Sequence, residues 1–442
     1  MRRVAIVGAG PAGMYAAEAL SKSGRVEIDI LDRLPVPCGL VRYGVAPDHL
    51  SIRSVRDTLD GILDLPGVTF VGNVEVGRDV SVDDLHRFYD AVIWCYGAPT
   101  DRSLGIEGEG LAGSFSATAF VNWYTGHPDA DRGFDTLFVG PTVATVVGVG
   151  NVAIDVARIL ISPVDSLRHT EMPDHVLAAL EASTIRRVHV LGRRGPAHAS
   201  FTTKELKELG EIPGVRVHVE ARDLARTEAS LAAMAGDKVS ARNVGVLEEW
   251  SAREWPEASR TLAFHFYARP ERIRGTTAVE SLEIVRTEVD AEGRAHDTSD
   301  TWELDTDVVV RSVGYRGEPI AGLPFDTSRG VIPNADGRVL DGERPRVGHY
   351  TAGWIKRGPS GIIGTNKKDA AATVAALLED LDGLPEPTHS GGLTSHLTSL
   401  GITTVDREGW RRIAQEECVR GTRSGRERVT IHDRGELLTL AQ

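Results

Sequence analysis

The chain has 442 residues, 41% of them hydrophobic and 26% charged, which suits two or three globular domains and excludes a disordered chain. No run of about 18 apolar residues is present to span a membrane. A net charge of −13, from 50 basic against 63 acidic residues, argues against nonspecific nucleic-acid binding, which needs a basic field. Cys38, Cys95 and Cys418 are too few and too far apart for a cysteine-ligated cluster or a dithiol pair. No metal centre is therefore expected, and a reducing, cytoplasmic setting fits. Met1-Arg2-Arg3 runs straight into an apolar strand, so no signal or transit peptide is predicted.

Val4 to Val7 reads as a buried parallel strand, Met14 to Ser21 as a helix, and Val26 to Leu31 as a second strand ending at Asp32. Between strand and helix lies Gly8-Ala9-Gly10-Pro11-Ala12-Gly13, a G-x-G-x-x-G. Gly8 permits the tight turn, Gly10 lets backbone approach a pyrophosphate, and Gly13 allows close helix–strand packing. The helix start offers free N–H donors to phosphates. Asp32, 19 residues after Gly13, stands where a carboxylate can accept from ribose hydroxyls. The motif alone does not separate FAD from NAD.

Tyr89 to Ala98 is an apolar strand ending in glycine, and Asp305 to Gly314 repeats that design. Both fit strands that deliver backbone to a cofactor, and each taken singly also fits a core strand with a turn. Ala144 to Val147 is predicted as another strand, followed by the G-x-G-x-x-A of Gly148, Val149, Gly150, Asn151, Val152 and Ala153, and by a helix over Ile154 to Ile161. A helical stretch around Met172 to Ala182 lengthens the crossover. The next strand, Val188 to Gly192, ends in Arg193-Arg194 where the first unit ends in an acid. A carboxylate would repel a 2′-phosphate, whereas guanidinium groups bind one through forked, charge-assisted bonds. The second cradle thus favours NADP.

Residues 222–300 read as mixed strand and polar loop without a chemical motif. Near the end, Gly353-Trp354 precedes a glycine-rich turn over Gly361, Ile362, Ile363 and Gly364, with a helix predicted from Lys367 to about Leu378. Pro385 to Gly392 reads as a linker to a last helical segment. The expected fold class is α/β with two Rossmann-like dinucleotide-binding domains. An FAD domain in two pieces, 1–103 and 346–442, would carry the NADP domain, 104–345, as an insertion. Two unlike cradles imply a tightly held flavin and an exchangeable NADPH.

Together these residues resemble the adrenodoxin reductase type of ferredoxin–NADP⁺ reductase. The matching stretches are VGAGPAGMYAA at 7–17, GLVRYGVAPDH at 39–49, GNVEVG at 72–77, GVGNVAIDVARIL at 148–160, GRRGP at 192–196, FTTKEL at 201–206, VVRSVGYRG at 309–317 and GWIKRGPSGIIGTNKKDA at 353–370. The resemblance implies FAD contacts from Ala12, Asp32, Leu40, Val76, Trp354, Gly361, Ile362 and Ile363. It implies NADP contacts from Gly148 to Val152, Arg193, Arg194, Glu205 and Gly361. Asp32 stands where the family usually has glutamate, and Cys38 where a bulky aromatic is common.

The implied reaction moves hydride from NADPH to FAD and then single electrons to a separate ferredoxin-type iron–sulfur protein. Three polar residues are candidates for orienting the rings: His49 in the APDH turn, Asp155 at the start of the second cradle's helix, and Glu205. Docking an acidic carrier on a chain of this charge calls for a local basic patch, with Arg42, Lys356, Arg357, Lys367 and Lys368 as candidate members. Two rival readings are an NADPH-dependent diaphorase or electron-input module acting on a non-ferredoxin acceptor, and a sensor that holds both nucleotides without turnover.

Overall fold

In a computed structural model, residues 1–389 and 391–442 are described. The chain divides into two compact units, one of residues 1–100, 125–129 and 314–442, the other of residues 101–124 and 130–313. The α/β class with two Rossmann-like units is the architecture adopted, and no helix among the described residues is long and apolar enough to cross a membrane.

The first unit is built on a seven-stranded sheet ordered Asn334–Ala335, Arg338–Asp341, Arg344–Thr351, Ala91–Trp94, Arg2–Val7, Val26–Asp32 and Val68–Gly72. The last five pair in parallel, and Arg338–Asp341 pairs antiparallel with Arg344–Thr351. Both faces are covered, which explains why its strands read as continuous apolar runs. Val4 and Ile6 pack with Met14 and Leu20 of helix Pro11–Ser21 and with Val374 and Leu377 of helix Thr365–Asp380. Ala5 and Val7, one residue out of phase, pack with Val82, Leu85 and Leu397 on the other face. The stretch from Gly314 to 345 lies in this unit too, ahead of the seam read near 345. Leu323, Ile332 and Val339 are the reason, since all three bury in that second apolar cluster.

The second unit holds a six-stranded parallel sheet, ordered Ser114–Ser116, Val308–Arg311, Val143–Val147, Arg187–Gly192, Arg260–Phe266 and Val215–Val219. Helix Asn151–Ile161 covers one face through Ile154 and Ala157. A three-stranded antiparallel sheet, Ala268–Arg274, Ser281–Val289 and Ala295–Asp305, meets Val147, Leu191 and Val309 on the other. Residues 222–300 also contain two helices the sequence reading did not separate, Glu228–Gly236 and Lys238–Ala252. Thr227 and Asp237 cap them with side-chain oxygens, so the start signals were present.

Two predicted strands are shorter than read, at Ala91–Trp94 and Val308–Arg311. Asp90 is drawn off by Arg2 and by the Arg3 N–H, and Thr306 bonds Thr145. Of the predicted linker Pro385–Gly392, Ser390 lies outside the described residues. After it come helices Leu393–Ser399, Arg407–Arg423 and Arg434–Ala441.

Those last helices are bound into the first unit by charge. Arg42 is fully buried and forms a two-pronged ion pair with Glu417, one arm at 3.1 Å. Glu417 also accepts from Arg428 and from the Ile431 N–H, both at 2.9 Å. Burial alone would raise the Glu417 carboxyl, but Arg42 and then Arg428 pull it below the usual range. Arg42 therefore cannot belong to a surface docking patch, a correction that follows from its burial. Replacing Glu417 with Ala strands a buried guanidinium. Urea unfolding should show a loss of about 3–5 kcal/mol, and an unchanged midpoint would contradict the role given to this pair.

Candidate functional site

The first cradle shows why its glycines are needed. Gly8 has φ +111°, and its N–H donates to the Leu31 carbonyl at 2.7 Å. A β-carbon on Gly13 would stand 1.9 Å from the Gly8 carbonyl oxygen, so only glycine lets the helix start this close to the strand. Helix Pro11–Ser21 begins at Gly10 with no side-chain cap. By the geometry of helix ends, its first N–H groups are left for an external acceptor. Ala12 is buried in that first turn.

Asp32 ends the second strand, as expected, but its carboxylate also serves the cradle itself. One oxygen accepts from the Ala9 N–H at 2.7 Å and the other from the Leu34 N–H at 2.9 Å. Burial raises its carboxyl, against the pull of the Leu34 and Ala9 N–H groups. Each oxygen keeps a further lone pair for a hydroxyl.

The turn Cys38–Gly39 closes over the same loop. The Cys38 N–H donates to the Ala9 carbonyl at 2.9 Å, and a β-carbon on Gly39 would come 2.9 Å from the Gly10 Cα. Leu40 opens the short helix Leu40–Tyr43 and is exposed, beside the cradle rather than in the core. Burial pushes the Cys38 thiol up to about 12, so it is no nucleophile near neutrality. His49 is buried at the start of helix Leu50–Arg53, its carbonyl accepting from Ile52 and Arg53. Arg53 donates to the carbonyls of Arg42 at 3.0 Å and Val45 at 2.6 Å, tying the two turns together. Val76 is buried and bridges to Val80.

Trp354 opens the helix Trp354–Arg357, its ring 5.3 Å from that of Tyr315 at 36°. Asp369 anchors this turn by accepting from the Gly353 N–H at 2.6 Å and pairing with Lys356 at 2.8 Å. Gly361 and Ile362 are exposed and Ile363 is half-buried. The Ile362 N–H donates to the Thr365 hydroxyl at 3.2 Å, where helix Thr365–Asp380 begins without a side-chain cap on its Gly364 end. Of the candidate docking residues, Lys356 is held by Asp369, Arg357 bonds Asn366, and Lys367 pairs with Glu18. Lys367 and Lys368 are the two that remain exposed.

In the second unit, Gly148 repeats the role of Gly8. Its φ is +137°, its N–H donates to the Leu191 carbonyl at 2.9 Å, and a β-carbon would stand 2.1 Å from the Ser312 carbonyl oxygen. Helix Asn151–Ile161 also starts uncapped, at Gly150. Two bonds fasten residues 200–205 to the rim and a third is internal to the segment. The Ser200 N–H donates to the Val149 carbonyl, the Thr202 N–H to Asn151 Oδ1, and the Glu205 N–H to the Thr202 hydroxyl. Glu205 is thereby held, buried, in the first turn of helix Thr203–Leu209. Val152 stands half-buried one residue past Asn151. Asp155 is a correction: it lies a full turn inside its helix, and pairs with Arg158 at 2.8 Å. The helix begins at Asn151, three residues before the predicted start, so Asp155 lies beyond the first turn, the turn on which the N-terminal dipole acts.

Arg193 and Arg194 follow strand Arg187–Gly192 and are both exposed. Neither has a carboxylate partner among the described residues. Arg194 reaches only the Gly293 carbonyl, at 3.5 Å, and its pKa is lowered by burial and then by the charge of Arg193. Elsewhere Arg2, Arg33, Arg338 and Arg407 each pair with aspartate. Two adjacent guanidiniums without a carboxylate partner are able to hold a dianion. Sequence reasoning passed over Ser200, whose hydroxyl would lie 3.5 Å from a β-carbon on Gly150. Its place just before FTTKEL was the available signal.

The NAD(P)-binding Rossmann-like domain family matches residues 6–57. The chain is 41% identical to the NADPH-ferredoxin reductase FprA of Mycobacterium leprae, over 100% of this chain and 98% of that protein. It is 37% identical to the mitochondrial NADPH:adrenodoxin oxidoreductase of Homo sapiens, over 99% of this chain and 91% of that one. Among solved structures, Mycobacterium tuberculosis FprA in complex with NADPH superposes with a TM-score of 0.93 at 40% identity, covering 100% and 99% of the two chains.

The variant Gly13→Ala forces a methyl group against the Gly8 carbonyl. The purified variant should lose the dinucleotide of its first unit, read as nucleotide released on denaturation. Full retention would show that the cradle tolerates a wider helix–strand gap.

Proposed function

The chain belongs to the adrenodoxin reductase type of ferredoxin–NADP⁺ reductases, and on that premise we propose that it oxidises NADPH and passes electrons singly, through bound FAD, to a ferredoxin-type iron–sulfur protein. The observation that carries the assignment of sites is a charge difference. Both cradles present an uncapped helix start to a pyrophosphate, but the strand after the first ends in Asp32 and the strand after the second in Arg193 and Arg194. A flavin nucleotide has free ribose hydroxyls, which suit a carboxylate. A 2′-phosphate suits the arginine pair.

FAD is thus assigned to the first unit, held by Gly8, Gly10, Ala12, Gly13, Asp32, Leu40 and Val76, with Trp354 and the turn Gly361 to Ile363 at its isoalloxazine end. NADP(H) is assigned to the second unit, held by Gly148 to Val152, Arg193, Arg194 and Glu205. Bound FAD supplies the chemistry that converts a two-electron donor into a one-electron source. The side chains bind and orient. Asp32 fixes the Ala9 peptide of the pyrophosphate loop while offering lone pairs to a ribose. Asp369 holds the Gly353 turn so that Trp354 is placed. Glu205 offers a buried carboxylate at the rim of the second cradle, and His49 remains a positioning candidate on the first. Asp155 keeps a supporting role, through Arg158, in the cradle helix.

No proton transfer to a side chain is needed when hydride moves between two rings, so geometry dominates the rate. Lys367 and Lys368 form the exposed basic part of the surface assigned to the acidic electron carrier. Cys38, Cys95 and Cys418 are free thiols, the first two buried, which fits a reducing compartment. We place the protein in the cytoplasm on that ground.

Steady-state reduction of cytochrome c with NADPH tests this reading. Added ferredoxin should stimulate the rate, and Arg193→Ala/Arg194→Ala should cost about 2–4 kcal/mol in NADPH kcat/KM while leaving NADH use nearly unchanged. Reduction that ignores ferredoxin would point to a small-molecule acceptor. An unaltered preference for NADPH in the double variant would remove the arginine pair from coenzyme recognition.

A further inference from the structure

Between the arginine pair and Glu205 lies a titratable side chain that the reading above leaves unused. His198 ends the turn Pro196–His198, four residues after Arg194. Its imidazole and the Arg194 guanidinium meet the same backbone point, Gly293, at the tip of the hairpin between strands Ser281–Val289 and Ala295–Asp305. Arg194 lies 3.5 Å from the Gly293 carbonyl oxygen, and a β-carbon on Gly293 would stand 3.7 Å from His198 Nε2. The hairpin is fastened there on its other side too, because the Thr287 hydroxyl donates to the Arg193 carbonyl at 2.6 Å. A three-stranded sheet that the sequence showed as motif-free therefore walls the arginine site. Nδ1 of His198 is buried and has no hydrogen-bond partner among the described residues. Nδ1 is closed off from a ligand, so Nε2, on the Gly293 side that Arg194 also reaches, is the nitrogen left to meet an anion.

We propose that His198 is a third ligand of the NADP(H) 2′-phosphate, taking up a proton as the phosphate binds beside Arg193 and Arg194. The proposal rests on the reading of that pair as the 2′-phosphate site. Without a ligand, burial and then the Arg194 charge hold His198 below its ordinary range, which favours the neutral imidazole. A dianion on the arginines reverses the second effect and favours the protonated ring, which becomes a charge-assisted donor. Helices Glu228–Gly236 and Lys238–Ala252 pack on its turn, the latter through the Ser240 hydroxyl on the Ala197 carbonyl at 2.5 Å. The charged groups of those helices near their starts are Glu228, Lys238 and Arg242, and those of the hairpin are Glu292 and Arg294. Asp290 is engaged with His296 at 2.6 Å, and the Tyr267 hydroxyl lies against Gly195.

Calorimetric titration of the oxidised holoenzyme with NADP⁺ at pH 7, in two buffers of different ionisation enthalpy, counts the protons taken up. The wild type should take up a measurable fraction of a proton more than His198→Gln, since ionisation of the phosphate itself is common to both. The variant should bind NADP⁺ about tenfold more weakly, the size of one charge-assisted hydrogen bond, and bind NAD⁺ as the wild type does. His198→Asn, with retained flavin content, guards against a folding defect peculiar to one substitution. Equal proton numbers and affinities in wild type and both variants would overturn the proposal. If Arg193→Ala/Arg194→Ala also leaves NADP⁺ affinity unchanged, the arginine reading fails as well. If it weakens binding while the His198 variants do not, the histidine alone is refuted.

Discussion

At Gly13 a β-carbon would sit 1.9 Å from the Gly8 carbonyl oxygen, and at Gly148 another would sit 2.1 Å from that of Ser312. Each cradle is closed so tightly that a single methyl group does not fit. The Gly13 contact sets the helix against the strand. The Gly148 contact, like that of Gly8 with the Cys95 carbonyl, sets the turn against the neighbouring strand. Both leave a helix start, with its unpaired N–H groups, at the carboxyl edge of a parallel sheet, where phosphates are bound. Everything chemical in the chain is arranged around those two points. Asp32 braces the first loop from below while the Cys38–Gly39 turn closes over it, and Ser200 and Thr202 brace the second.

What separates the two sites is the charge left uncompensated at each. Many arginines of the fold are paired with carboxylates, and Arg42, the most buried, is held by Glu417 from a helix 375 positions away. Arg193 and Arg194 stand side by side with no such partner. Arg186 and Arg187 are likewise exposed without a carboxylate partner, but they stand at the opening of strand Arg187–Gly192, whereas Arg193 and Arg194 follow its carboxyl end. There a phosphate dianion relieves their mutual repulsion. The same surplus gives His198 its role, because an imidazole beside the Arg194 cation is favoured as a proton acceptor when an anion arrives.

The cradles were legible in the sequence because their determinants are local. Gly8, Gly10, Gly13 and Asp32 fall within one strand–helix–strand unit, as do Gly148, Gly150 and Asn151. Long-range devices were not legible. Nothing near Arg42 announces Glu417, so a residue of the GLVRYG turn looked like surface charge. Nor does the chain near Arg194 announce Gly293, since the two meet only when a hairpin folds back on the arginine turn. Asp155 was misplaced for a subtler reason: the helix starts at Asn151 in the glycine motif itself, before its apolar periodicity begins. The helices over 228–252 carried capping residues at Thr227 and Asp237, but the first is alanine-rich with no apolar stripe and the second is largely polar, which hid them.

The central claim is that one chain carries two dinucleotide sites of opposite preference. Counting what each site holds tests it most directly. Denaturing release from the purified protein, followed by equilibrium titration of the intact protein with NADP⁺, should give one FAD per chain retained through purification and one dissociable NADP⁺ per chain. Two equivalents of one nucleotide, or a protein that holds no flavin after reconstitution, would contradict the account.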